Sequence, residues 1–189
     1  MQLAMKVNRV GIFVLAVVAM VVTSCVIEMD EFAPKQRKQI ESYLSQKEYT
    51  ITSDSAFVHL AGNKFNIATE SRPVGAEVGD RVKFNIEGYT FTSSPASSPF
   101  YTNKRYLAES ISSELNTEYW DFEPRVVTLG SGEILKALDE SLKGSIAGDS
   151  LLVFLTSSIA YGADGLGAVP ANTAVMMILT VENLSKRVK

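Results

Sequence analysis

Two runs near the C-terminal end leave this chain little freedom: Leu151-Leu152-Val153-Phe154-Leu155 and Ala174-Val175-Met176-Met177-Ile178-Leu179-Thr180-Val181. Both have strand length and are bounded by turn residues. Successive side chains of a strand point to opposite faces, so the first run is apolar on both faces and both must be covered. One cover is at hand in the segment Ser131 to Gly144, where Ile134, Leu135, Leu138 and Leu142 make a single apolar stripe. Ser131 is expected to cap that helix at its start and Gly144 to stop it. For the second face the candidates are a short amphipathic helix bearing Ile40, Tyr43 and Leu44, the polar excursion around Tyr106, Leu107, Ile111 and Leu115, or a second copy of the chain in self-association.

Upstream, Val82, Phe84 and Ile86 alternate with Lys83, Asn85 and Glu87 after a Gly79-Asp80 turn, which predicts a half-buried strand. Arg125 to Gly130 reads as another, and Tyr49 to Ala68 alternates weakly enough to predict short strands. Strands before and after one strong helix predict an α+β fold, a mostly antiparallel sheet wrapped on that helix.

The N-terminus is of a different kind. Lys6 and Arg9 precede an apolar run from Val10 to Val22, followed by Thr23-Ser24-Cys25. That is the pattern of a secretory signal, too short to span a bilayer comfortably. Val22 to Cys25 also resembles a bacterial lipobox, which makes Cys25 the expected lipidation site and the mature N-terminus. Losing Lys6 and Arg9 leaves 16 basic residues against 21 acidic, moving the formal charge from −3 to −5. A mildly acidic exported domain of about 165 residues has no basic cluster for nucleic acid. Cys25 is the single cysteine, so no disulfide within the chain can form.

The chemistry is bounded by what is scarce. His59 is the single histidine and has no carboxylate close by in sequence, so a Ser-His-Asp triad or a metal cluster has little to build on. No metal and no cofactor are expected. Gly130 and Gly132 precede a helix, but Leu135 stands where a dinucleotide fingerprint needs its third glycine. Asp139 and Glu140 are neighbours whose side chains diverge by about 100° on a helix, and both are expected to be solvated. What remains is a set of apolar and aromatic groups beside flexible loops. Rotation about a prolyl peptide bond is one reaction that needs shape and desolvation rather than a titrating group.

From Val127 to Leu184 the chain resembles the FKBP-type peptidyl-prolyl isomerases. The resemblance rests on Leu129-Gly130 before the helix, Asp139-Glu140 with Leu142, the turn Ala160-Tyr161-Gly162, and Val169-Pro170 leading to the last strand. Val78 to Phe91 and Pro99 to Asn103 resemble earlier parts of the same family. An insertion between Gly88 and Leu129 resembles that of lipoproteins of the Bacteroidetes type.

The resemblance implies an FKBP-like antiparallel half-barrel on one central helix; the N-terminal helical extension lies outside it, and the insertion is added within it. The expected organisation is a signal peptide over 1–24, a lipidated tether over 25–34, an N-terminal extension over 35–72, and an FKBP-like domain over 73–186 with its insertion at about 104–121. Tyr161, Leu135 and Ile134 are the implied catalytic residues: the tyrosine hydroxyl and the backbone N–H of Leu135 would hold substrate. Phe100, Tyr101, Ile86, Leu138, Val169 and Met177 would line a proline pocket, and residues 162–169 would form a flap. Ile86, Tyr101, Arg125, Leu138 and Met177 stand where the family usually has other residues, which makes this pocket less aromatic. Two functions stay open: a prolyl isomerase anchored in the cell envelope at the outer membrane, acting on proline-containing peptides or unfolded envelope proteins, and a weakly active or inactive binding or scaffold module.

Overall fold

The computed structural model describes residues 32–50, 73–111 and 121–188, together with the backbone of 58–63. The expected signal peptide, Cys25, Leu115 and the His59 side chain lie outside the described residues.

Helix α1 covers residues 32–46, and its buried positions Gln36, Ile40 and Leu44 recur every four residues with Tyr43 half-buried beside them. Pro34 sits near its start, where the missing N–H costs little, so the end of the stretch expected to be tether is helical. Strand β1 (Val58–Asn63) follows, then β2 (Arg81–Phe91), β3 (Tyr101–Thr102), helix α2 (Arg105–Ile111), β4 (Arg125–Thr128), helix α3 (Lys136–Leu142), β5 (Asp149–Leu155) and β6 (Ala174–Ser185). The sheet runs β1-β5-β6-β2-β3, with β4 also on β2, and every pairing is antiparallel. The fold is α+β, as expected.

One face of the sheet receives α3. Val82, Phe84 and Ile86 of β2, Val153 and Leu155 of β5, and Val175, Met177 and Leu179 of β6 pack there with Leu138 and Leu142. The other face carries Phe91, Phe154 and Met176 and is closed by Ile40 and Leu44 of α1. Tyr43 meets Phe91 edge-on at 5.4 Å and Phe154 at 5.8 Å. The demand made by the doubly apolar strand is thus met by α1, and Phe154 is fully buried.

Two expectations about α3 are corrected. Gly130 and Gly132 have φ of +83° and +80°, which keeps residues 130–135 out of helical geometry. The helix therefore starts at Lys136, Leu135 takes the cap position with extended backbone, and Ser131 stays exposed. Asp139 is buried rather than solvated, because the bent loop brings the Gly130 N–H to its carboxylate, 2.9 Å and 3.0 Å from the two oxygens. Glu140 stays exposed and pairs with Lys143 at 2.6 Å.

The edge of β2 is taken by β4 at Arg81 to Phe84 and by β3 at Glu87 and Gly88. Asn103 bridges the gap: buried, it accepts the Ile86 N–H at 2.9 Å and donates to the Glu123 carbonyl at 3.0 Å. This joins the two ends of the insertion and fixes the wall formed by Phe100 and Tyr101.

Asp80 ties the start of β2 to the end of β6. Its carboxylate accepts the backbone N–H of Arg187 and of Glu77 and the Lys186 ammonium, each at 2.9 Å. Led by the Arg187 N–H, these donors lower its pKa from 3.8 to about 2. A depressed carboxylate contributes stability above its unfolded value and loses it as pH falls through the folded one. The urea midpoint of the chain is therefore expected to drop between about pH 4 and pH 2, and Asp80→Asn to flatten that part of the profile. An unchanged profile in the variant contradicts the assignment.

Candidate functional site

Between α3 and the sheet lies a cavity of ≈ 460 Å³. Phe84, Ile86 and Met177 of the sheet line it with Leu138 of α3, Phe100 and Tyr101 beside β3, Arg125 of β4, Glu133, Ile134 and Leu135 before α3, Tyr161, and the loop residues Leu166, Gly167 and Ala168. Apolar and aromatic side chains dominate, as in sites that take an apolar group out of water. A broader hollow of ≈ 620 Å³ on the exposed side of α1 is lined by Pro34, Lys35, Lys38, Gln39, Ser42, Gln46 and Ser93, and has no aromatic wall.

Each lining residue has a local cause. The left-handed glycines 130 and 132 delay the helix, so Ile134 and Leu135 stay outside its first turn and line the cavity. No acceptor takes the Leu135 N–H among the described residues, since the helix bonds begin with Leu138 N–H donating to the Leu135 carbonyl. Phe100 lies over Gly88, where a Cβ would come 2.6 Å from Phe100 Cζ and 3.0 Å from Met177 Sδ. The absent side chain of Gly88 is what gives Phe100 its place.

Tyr161 follows a 3-10 turn (Ser157–Ile159) that leaves β5. Its ring stands edge-on to Phe100, with centroids 6.0 Å apart and planes at 86°. Burial among apolar groups, with a smaller effect from Tyr101, pushes the phenol pKa above its ordinary value. The hydroxyl is thus protonated at neutral pH and available as a hydrogen-bond donor.

The loop after Tyr161 closes on itself. Leu166 and Val169 exchange backbone hydrogen bonds of 3.0 Å and 2.9 Å. Gly165, at φ +69°, has no room for a Cβ, which would sit 2.4 Å from the Val169 carbonyl oxygen. This turn directs Val169 into the core, where it is 3% exposed, and gives the cavity Gly167 and Ala168 instead. The expectation that Val169 lines the wall is corrected on that ground. Leu166 stands at the mouth, 63% exposed.

Arg125 is exposed at the rim, its guanidinium carbon 5.8 Å from the Tyr101 ring centroid, and the cavity is open beside it. Of the residues expected at the site, Tyr161, Leu135, Ile134, Phe100, Tyr101, Ile86, Leu138 and Met177 come together and Val169 does not. Phe84 and Glu133 join them unannounced, and Leu166, Gly167 and Ala168 come from the 162–169 segment expected as the flap. Leu166 had a signal, being the one large apolar residue in a glycine loop; Glu133 had none. Among the described residues no group of three His, Cys, Asp or Glu side chains converges as a metal site.

The family model for FKBP-type peptidyl-prolyl cis-trans isomerases matches residues 72–182. No curated protein matches the chain. Among solved structures, FkpA from Escherichia coli is similar over 95% of this chain and 74% of its own, at 16% identity and a TM-score of 0.55. A peptidyl-prolyl cis-trans isomerase from Pseudomonas syringae pv. tomato is similar over 84% of this chain and 96% of its own, at 14% identity and a TM-score of 0.56. At such identities the two neighbours speak for the fold, and the family model carries the assignment.

Proposed function

This chain belongs to the FKBP-type peptidyl-prolyl cis-trans isomerase family, and from that premise we propose that it catalyses cis-trans isomerisation of Xaa-Pro bonds in the cavity between α3 and the sheet. The observation that carries the reading is the Tyr161 ring, edge-on to Phe100 at the wall of an apolar cavity.

The barrier to prolyl rotation is roughly 20 kcal/mol, because the planar amide is held by resonance. Its charge-separated form is favoured by water and disfavoured where water is excluded, so an apolar pocket lowers the barrier by binding the twisted amide better than the planar one. Leu138, Ile86, Met177 and Phe100 would hold the pyrrolidine ring. Tyr161 Oη–H and the Leu135 N–H would each donate to a substrate carbonyl and fix the chain on one side of the rotating bond while the other side turns. No general base is needed.

Tyr161→Phe tests the donor role. Loss of one hydrogen bond to the reacting chain is expected to lower kcat/KM for an Xaa-Pro peptide about tenfold, with the fold intact. Unchanged kcat/KM would reduce Tyr161 to a packing residue.

The proposed substrates are proline-containing segments of unfolded envelope proteins, and the proposed location is the cell envelope at the outer membrane, through a lipid on Cys25. The apolar run from Val10 to Val22 and the Thr-Ser-Cys that follows it support this. One acyl chain binds membranes weakly, so stable attachment needs more than one. Mass spectrometry of the membrane-extracted chain tests the attachment, which is contradicted if residues before Cys25 are retained or the cysteine carries no lipid.

A further inference from the structure

The sequence gives no reason for a glutamine on the apolar stripe of α1, one helical repeat before Ile40 and two before Leu44. Gln36 is only 7% exposed. Its Oε1 accepts the Ser157 N–H at 2.8 Å and the Ser157 Oγ–H at 3.1 Å, and its Nε2 donates to the Asn172 carbonyl at 2.8 Å. The orientation of the amide is fixed by these partners, since the reverse would set donor on donor and acceptor on acceptor.

Ser157 and Asn172 are the two ends of the loop that bears Tyr161 and the flap. They are joined through one more residue. Gly162, next to Tyr161, donates its N–H to the Ser157 carbonyl at 2.8 Å and accepts the Asn172 N–H at 2.9 Å. Asn172 holds a left-handed φ of +52°, a turn conformation that asparagine tolerates. A closed ring of hydrogen bonds thus runs from Gln36 to Ser157 to Gly162 to Asn172 and back to Gln36, with Tyr161 next to Gly162 in the chain. We propose that Gln36 is a positioning residue for the isomerase site: through this ring, α1 holds the neck of the loop closed and sets Tyr161 against Phe100. This rests on the proposed function for its effect on catalysis, and on geometry alone for its effect on Tyr161.

The ring also explains why α1 matters beyond covering the sheet. Ile40 and Leu44 dock the helix by burial, which fixes its place without fixing a loop conformation. A buried amide with three directed bonds does fix one, and it is costly to leave half-satisfied.

The test uses the full chain with labelled tyrosine rings, the Tyr161 signals being assigned by their loss in Tyr161→Phe. Gln36→Leu keeps the bulk and removes every bond, whereas Gln36→Glu can still accept from Ser157 but cannot donate to Asn172. Val127→Ala, buried where β4 pairs with β2 and absent from the cavity lining, is the control for general destabilisation. Expected in Gln36→Leu is a shift of the Tyr161 ring signals away from the Phe100-packed value, with kcat reduced about tenfold while KM moves less. Gln36→Glu falls between it and the parent, and Val127→Ala leaves both readouts in place. Parent-like Tyr161 signals and kcat in folded Gln36→Leu overturn the proposal, as does an equal effect of Val127→Ala. Should the parent chain itself not accelerate isomerisation, the proposed function fails, and the Tyr161 signals alone decide the role of Gln36. Should Gln36→Leu not fold, amide exchange at Ser157 in the parent decides: protection comparable to β5 is expected, and exchange as fast as in an exposed loop overturns the ring.

Discussion

Leu135→Glu is expected to lower kcat/KM for an Xaa-Pro peptide by about a hundredfold or more while the chain stays folded. Leu135 is half-buried where the segment before α3 meets the cavity, so a carboxylate there faces the ring-binding space. A proline ring entering the pocket would strip water from that charge, and no cation on the cavity wall opposite except rim-bound Arg125 offers compensation. Each tenfold corresponds to about 1.4 kcal/mol, and desolvating part of a carboxylate readily exceeds twice that. The backbone at Leu135 is unaffected in kind, because its carbonyl keeps the bonds from the Leu138 and Asp139 N–H groups. The measurement is kcat/KM by exchange spectroscopy beside a urea curve. Parent-like activity would mean that catalysis happens elsewhere on the chain.

Phe154→Ala is expected to have the largest effect on stability, about 3–5 kcal/mol in urea unfolding. The ring is fully buried between β5 and α1, edge-on to Phe91 at 5.5 Å and tilted against Tyr43 at 5.8 Å. Its removal takes away buried area and two aromatic contacts and leaves a cavity that α1, pinned by Ile40 and Leu44, can only partly fill. Against a typical total of about 5–15 kcal/mol this is a large share. A loss below about 1 kcal/mol would place it with ordinary surface changes and contradict the close docking of α1.

That docking was the most legible part of the fold. Leu152 and Phe154 fall on the face opposite to Leu151, Val153 and Leu155, so period alone demands a second cover, and the Ile40-Tyr43-Leu44 stripe supplies one. Most of the pocket was legible through the family resemblance, because Leu135, Tyr161 and Phe100 keep their order and surroundings. What was hidden depends on loops. Asp139 reads as a solvated helical charge, and becomes buried only because two left-handed glycines return the Gly130 N–H to it. Val169 reads as a wall, and turns inward only because Gly165 permits the tight tip closed by Leu166. Gln36 reads as an unexplained polar residue on an apolar stripe, because its partners lie more than a hundred residues away in sequence. Local pattern carries no information about them.

Catalysis is tested most directly by cis-trans exchange of a short Xaa-Pro peptide with the full chain in catalytic amount, observed by exchange NMR with Leu135→Glu as the blank. Faster exchange is expected with the parent chain and the uncatalysed rate with the variant. A folded parent chain that binds the peptide without accelerating its exchange would contradict catalysis and make this FKBP-type domain a binding module.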